Sequence, residues 1–236
     1  MNRMGGEWKW GIDRPLYVAL QYIYYFLMTN IYFMLANILF LVIFLFVELT
    51  LDNILLFYLA LLPAGPAFAA LFASMGKLVR EKEISPTKDF WSYYKKNFMI
   101  GTKYWLLKWT ILVILLLDLR YTGFNIQVLT PIIFILIIVA LLILLYAFPI
   151  LTRFEVKIKN LWLVAIYANF KFFKTTLLNL STFVSLGVIY YFAPSITIWF
   201  CMSIATFFIM FNMRKPFEVM ELEMSNENKE RKDEKA

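Results

Sequence analysis

Acid–base, nucleophilic and metal chemistry each demand particular side chains, and this chain of 236 residues is short of them. It holds no histidine and a single cysteine, Cys201. A His/Cys zinc site, a Ser-His-Asp triad and a Cys-His pair are therefore excluded by inventory, and so is a disulfide within the chain. The acidic residues are scattered and do not pair inside apolar runs, which leaves little for carboxylate chemistry on lipids. No catalytic, cofactor-binding or metal-ligating residue is expected.

What could do physical work instead are polar and helix-breaking residues inside apolar stretches. Asn30 and Asn37 lie seven apart, so on one helix they share nearly one side. Amides avoid lipid, so both should face other helices, through bonds of about 0.6 to 2 kcal/mol or as the wall of a site for a neutral solute. Pro63, Gly65 and Pro66 must kink or break a helix, since proline removes a donor and crowds the preceding turn. The freed carbonyls then need protein or a water-filled cavity. Ala64, Ala67, Ala69 and Ala70 around the break would allow close helix packing as the structural alternative.

A third set combines rings and cations. Ser85 and Pro86 form a helix start, a cap followed by proline at the first turn. On a 3.6-residue period Phe90, Trp91, Tyr94 and Phe98 share one face, with Lys88, Ser92, Lys95 and Lys96 opposite. The expectation is a helix lying flat at the membrane surface. Phe90, Trp91, Tyr94, Lys95, Lys96 and Phe98 then serve as a lipid anchor, as a docking surface for a partner, or as both.

These residues must be positioned by membrane helices. Apolar residues make up 62% of the chain and charged ones 17%, against roughly 45 to 50% and about 25% in soluble domains. Runs near the roughly 20 residues that cross a hydrocarbon core fall at about 22–47, 54–75, 99–117, 129–149, 175–191 and 194–211. The expected fold is all-α, a polytopic bundle of about six transmembrane helices with cytoplasmic interfacial helices. Residues 1–213 form one transmembrane domain, and 214–236 a charged cytoplasmic tail whose composition favours disorder. The start does not read as a removable signal peptide. No ionisable residue is expected at the middle of a span.

Cations stay on the cytoplasmic side. Of the 23 Lys and Arg, only Arg120 falls in a connection after the first, third or fifth run. The others lie in the N-terminal segment, from Lys77 to Lys108, from Arg153 to Lys174, and in the tail. Both termini are therefore expected in the cytoplasm. The net charge of +7 is explained by this membrane asymmetry, and no nucleic-acid binding is expected. The segment Tyr167 to Leu180 enters its run as Tyr93 to Phe98 enters the third, and Leu61-Leu-Pro-Ala-Gly-Pro echoes Leu144-Leu-Tyr-Ala-Phe-Pro. A repeat of span, surface helix and span is one reading of this; chance apolar similarity is the other.

The order of motifs resembles a known family. Leu27-Met-Thr-Asn-Ile-Tyr-Phe is followed by Leu62-Pro-Ala-Gly-Pro-Ala-Phe-Ala-Ala-Leu, Lys77-Leu-Val-Arg, Asp89-Phe-Trp and Tyr94-Lys-Lys-Asn-Phe. This is similar to the YesL-type family of small bacterial membrane proteins of unknown function, over about 22–105. Where this chain has Pro63-Ala64, the family usually carries a Thr-Ile or similar pair. The resemblance implies a bacterial cell membrane and a genomic setting beside carbohydrate importers of the ATP-binding-cassette type. It supplies no catalytic residues. The expected function is a non-enzymatic accessory subunit of such an importer, with membrane lipid and the importer's membrane domain as partners. A stand-alone transporter of a neutral solute and a membrane sensor are the alternatives.

Overall fold

The structure, a computed structural model, describes residues 13–50, 52–125, 129–154, 156 and 158–233. Among the described residues all regular structure is helical: α1 (Asp13–Ala36), α2 (Ile38–Phe46), α3 (Ile54–Ala60), α4 (Ala64–Glu81), α5 (Pro86–Lys96), α6 (Phe98–Asn125), α7 (Thr130–Arg153), α8 (Ile158–Lys171), α9 (Phe173–Phe192), α10 (Pro194–Thr197), α11 (Cys201–Asn212) and α12 (Arg214–Asp233). Four helical stretches, Pro15–Ala36, Phe98–Thr122, Thr130–Arg153 and Phe173–Phe192, are long and apolar enough to cross a membrane. The pair α3 and α4, bent by 42° at its break, makes a fifth. This is a multi-pass membrane helix bundle.

The sixth run is divided in place of a continuous span, because α10 stops at Thr197 and α11 resumes at Cys201. The first run is divided as well, between α1 and α2 at Asn37. Its side-chain amide donates to the carbonyl of Phe33 at 2.8 Å, the local competition with helix bonding expected of Asn. Asn37 thus bonds within its own segment, a correction to its expected interhelical role.

Helix α4 is the axis. From Ala64 to Val79 nearly every side chain is buried, since Ala, Gly and Ser let neighbours approach closely. Helices α1, α5, α6, α7 and α11 surround it. Large apolar side chains point outward elsewhere, such as Phe46, Val184 and Tyr191, as a bundle with lipid for solvent requires. Element order repeats as α4–α5–α6 and α7–α8–α9, with α5 packed on α4 and α8 on α7.

The tail departs from the composition-based expectation of disorder. Residues 214–233 form α12, whose first turns are docked: Phe217 is buried and meets the Phe154 ring edge-on. Arg153 donates twice to Glu221, at 2.9 and 2.7 Å, and Lys171 pairs with Glu223. Tertiary contact at its start holds a helix that composition alone would not form.

Candidate functional site

Asn30, unlike Asn37, joins helices, and a neighbouring helix mends the break at Pro63 to Pro66. At the α3–α4 break the carbonyl of Leu61 accepts a 2.8 Å hydrogen bond from the Trp105 indole Nε1 of α6. That bond requires α4 and α6 to run close. A Cβ on Gly65 would lie 2.5 Å from the Gly101 carbonyl oxygen and 2.5 Å from Trp105 Cβ, and one on Gly101 would lie 3.0 Å from Pro66 Cα. Pro63 and Pro66 break the helix, Gly65 and Gly101 let the backbones touch, and Trp105 bonds the exposed carbonyl.

Asn30 mends the second break. Its Nδ2 donates to the carbonyl of Ile198 at 3.1 Å, and its Oδ1 accepts from the backbone N–H of Met202 and Ser203, at 3.2 and 3.3 Å. A side chain of α1 thereby caps the start of α11, where the first N–H groups of a helix lack partners. Ser203 Oγ returns the contact by donating to the Phe26 carbonyl at 2.6 Å.

The aromatic helix packs against α4 and α1. It starts as read, with Ser85 before Pro86, but the Ser85 side chain makes no cap. Asp89 Oδ2 accepts the Ser85 N–H at 2.8 Å instead. Both carboxylate oxygens of Asp89 also accept from Lys77 Nζ at 2.9 Å. Lys77 faces Asp89, Ala73 shares a cavity with Tyr93 and Asn97, and Gly65 meets Gly101. Helices α5 and α6 therefore return antiparallel along α4.

The amphipathic period is correct, but the protein itself receives its apolar face. Phe90 is fully buried, 6.0 Å from the Tyr32 ring of α1 and 5.4 Å from Trp91. Tyr32 and Thr87 share a hydroxyl hydrogen bond of 2.6 Å. Trp91 and Tyr94 are half-buried, and burial pushes the Tyr94 phenol up. Phe98 opens α6 and is exposed. Lys88, Lys95 and Lys96 are exposed, so the cationic face is the side of α5 most open to lipid or partner.

One site escaped the sequence reading. Lys108 lies ten residues into α6, within a span, and is 1% exposed. This corrects the expectation that no ionisable residue sits mid-span. Its Nζ donates to the Ala140 carbonyl of α7 at 3.0 Å and sits 4.2 Å from the Trp162 ring centre of α8. One turn earlier Tyr104, also buried, packs 6.1 Å from the same ring, and its hydroxyl has no partner. An ionisable group at such depth is costly and concentrates at functional positions. Counting it with the basic connection hid it; the signal was a lysine ten residues into an apolar run.

Nearby, the α7–α8–α9 contact is polar. Tyr146 and Thr176 share a hydrogen bond of 2.9 Å, Thr176 donates to the Asn169 carbonyl at 3.1 Å, and Asn169 donates to the Leu142 carbonyl at 3.1 Å. Asn212 of α11 donates to Asn179 of α9 at 3.0 Å.

The charged groups gather at one end of the bundle. A small cavity of about 140 Å³ there is lined by Arg80, Arg153, Arg214, Glu218 and Glu221, the ends of α4 and α7 and the start of α12. A larger one of about 440 Å³ lies between Ala73, Tyr93, Lys96, Asn97 and Arg153. Among the described residues, no three acidic or cysteine side chains come together as a metal-binding group.

No curated protein and no solved structure matches the chain. Residues 26–119 do match a family model, described as "Protein of unknown function, DUF624". The matched segment contains the Asn30 cap, the α3–α4 break with Gly65, Gly101 and Trp105, the buried face of α5, and Lys108. Over residues 26–119 the chain is thus similar to that family of unknown function, in agreement with the YesL-type resemblance of its motifs.

Proposed function

We propose that this protein is a non-enzymatic accessory subunit of the bacterial cell membrane that packs against the membrane domain of a carbohydrate importer of the ATP-binding-cassette type and supports its assembly or regulation. The observation that supports this reading is how the intramembrane polar groups are used. Asn30, Trp105, Tyr146, Thr176, Asn169 and Asn212 each bind a neighbouring helix, as in a scaffold that holds its own helices in register. The importer as partner comes from the family resemblance.

Both termini are assigned to the cytoplasm under this reading, since the ends of α4, α7 and α8 and the start of α12 meet where cations concentrate, and such connections stay inside. The contact surface is the cationic face of α5, with Lys88, Lys95 and Lys96, together with α12. Phe90 takes no part in it.

Co-purification tests the proposal. Tagged protein extracted in mild detergent from cells that express the importer should bring its membrane subunit in near-equal amount. Recovery of this chain alone, with every importer subunit present in the lysate, overturns the proposal. A stand-alone transporter is the second reading, favoured by Lys108 within a span. Vesicles containing only this protein should take up no sugar if it is a subunit, and should take it up if it is a carrier.

A further inference from the structure

The end of α6 remote from Asn97 carries a cavity of about 720 Å³, lined in part by Leu49, Asp52, Tyr58, Trp109, Leu116 and Arg120. Its size falls within the range of small-molecule sites. Two features mark it as built to hold something polar. Asp52 and Arg120 carry opposite charges at one cavity, yet neither makes an ion pair among the described residues. The connection that brings Asp52 is held in place, with Asn53 Nδ2 donating to the Glu48 carbonyl at 3.0 Å and the Thr50 N–H to the same carbonyl at 2.9 Å.

The chemistry of these groups selects the ligand. A carboxylate calls for a cationic donor, and a guanidinium calls for an anion, which it can grip with two parallel N–H bonds. One molecule satisfies both when it is a zwitterion with an ammonium and a phosphate. The remaining lining is apolar and lies at the end of membrane helices, where Leu49 and Leu116 are exposed, which suits acyl chains beside the headgroup.

We propose that this cavity binds a zwitterionic phospholipid headgroup bearing a primary ammonium, with phosphate on Arg120 and ammonium on Asp52. A quaternary ammonium has no N–H to give Asp52, and an anionic lipid has no cation for it. The site therefore discriminates among headgroups.

The test uses the full chain, purified and delipidated in detergent, with native mass spectrometry of retained lipid. Phosphatidylethanolamine, phosphatidylcholine and phosphatidylglycerol with identical acyl chains are the probes. Phosphatidylethanolamine should bind about tenfold tighter than the other two, the scale of one charge-assisted hydrogen bond. Asp52→Asn should remove the preference over phosphatidylcholine, and Arg120→Gln should weaken all three lipids. Displacement by glycerophosphoethanolamine assigns the site to the headgroup alone, and resistance to it assigns the intact lipid. Equal retention of the three lipids by the unaltered protein, which needs no variant to fold, overturns the proposal. So does a preference that survives Asp52→Asn.

Discussion

Gly65→Ala adds one methyl group at the tightest helix crossing, and its cost can be worked from the geometry. The new carbon would stand 2.5 Å from the Gly101 oxygen and from Trp105 Cβ, whereas carbon atoms pack at about 3.5 Å or more. Helices α4 and α6 must move apart by about 1 Å. Both near atoms belong to backbone or to the first side-chain carbon, so no rotamer change relieves the clash. Overpacking of this kind costs about 1 to 3 kcal/mol. The same movement stretches the 2.8 Å bond from Trp105 Nε1 to the Leu61 carbonyl beyond hydrogen-bond range, losing about a further 1 kcal/mol in a membrane interior. Denaturant unfolding in mixed micelles should show a total loss of about 2 to 4 kcal/mol. Trp105→Phe removes the bond alone and should cost about 1 kcal/mol. Because Gly65→Ala already breaks that bond, the double variant should cost less than the sum. A Gly65→Ala protein within about 0.5 kcal/mol of the parent, a difference typical of an unconstrained surface position, would refute the close crossing.

Three further outcomes follow from the same contacts. Asn30→Ala leaves the Ile198 carbonyl and the Met202 and Ser203 N–H groups without their partner and should cost about 1 to 3 kcal/mol, with faster amide exchange confined to about residues 198–204. Lys108→Met removes a buried cation that no carboxylate compensates among the described residues, so it should leave stability unchanged or raise it. A loss above about 2 kcal/mol would show that the Ala140 bond and the Trp162 ring outweigh the burial. The hydrogen bond to Glu223 raises the Lys171 ammonium above its usual range. A raised folded value means that its contribution is complete below the unfolded value and fades as pH rises through the folded one. Docking of α12, followed by a spin label near residue 223, should therefore hold through neutral pH and loosen only in strong alkali, and Glu223→Gln should loosen it at neutral pH.

The readable parts of this fold were local ones. Two prolines three apart announce a broken helix whatever surrounds them, and the 3.6-residue period of Phe90, Trp91 and Tyr94 announces an amphipathic one. What the period cannot say is which solvent the apolar face meets. Protein, lipid and a partner all welcome Phe90, and only the placement of α1 and α4 decides. Asn30 and Asn37 look equivalent in sequence, yet one reaches a break 168 positions away and the other turns on its own helix. The partner of the Leu61 carbonyl lies on another helix, as does the glycine that faces Gly65, so neither could be read from the motif itself. Lys108 was hidden because charge counting assigns a cation to the nearest loop, while the four-carbon stem of lysine lets it reach a carbonyl and a ring inside the bundle.

Under the proposed function, the protein meets a partner through the cationic face of α5 and not through its aromatic one. A photo-activated cross-linking residue placed singly at Lys95 and at Phe90, in cells that express the importer, measures this in the native membrane. A cross-link from position 95 to the importer's membrane subunit is expected, and from position 90 only links within the chain. Cross-links to the importer from position 90, or none from position 95 with the importer present, would contradict it.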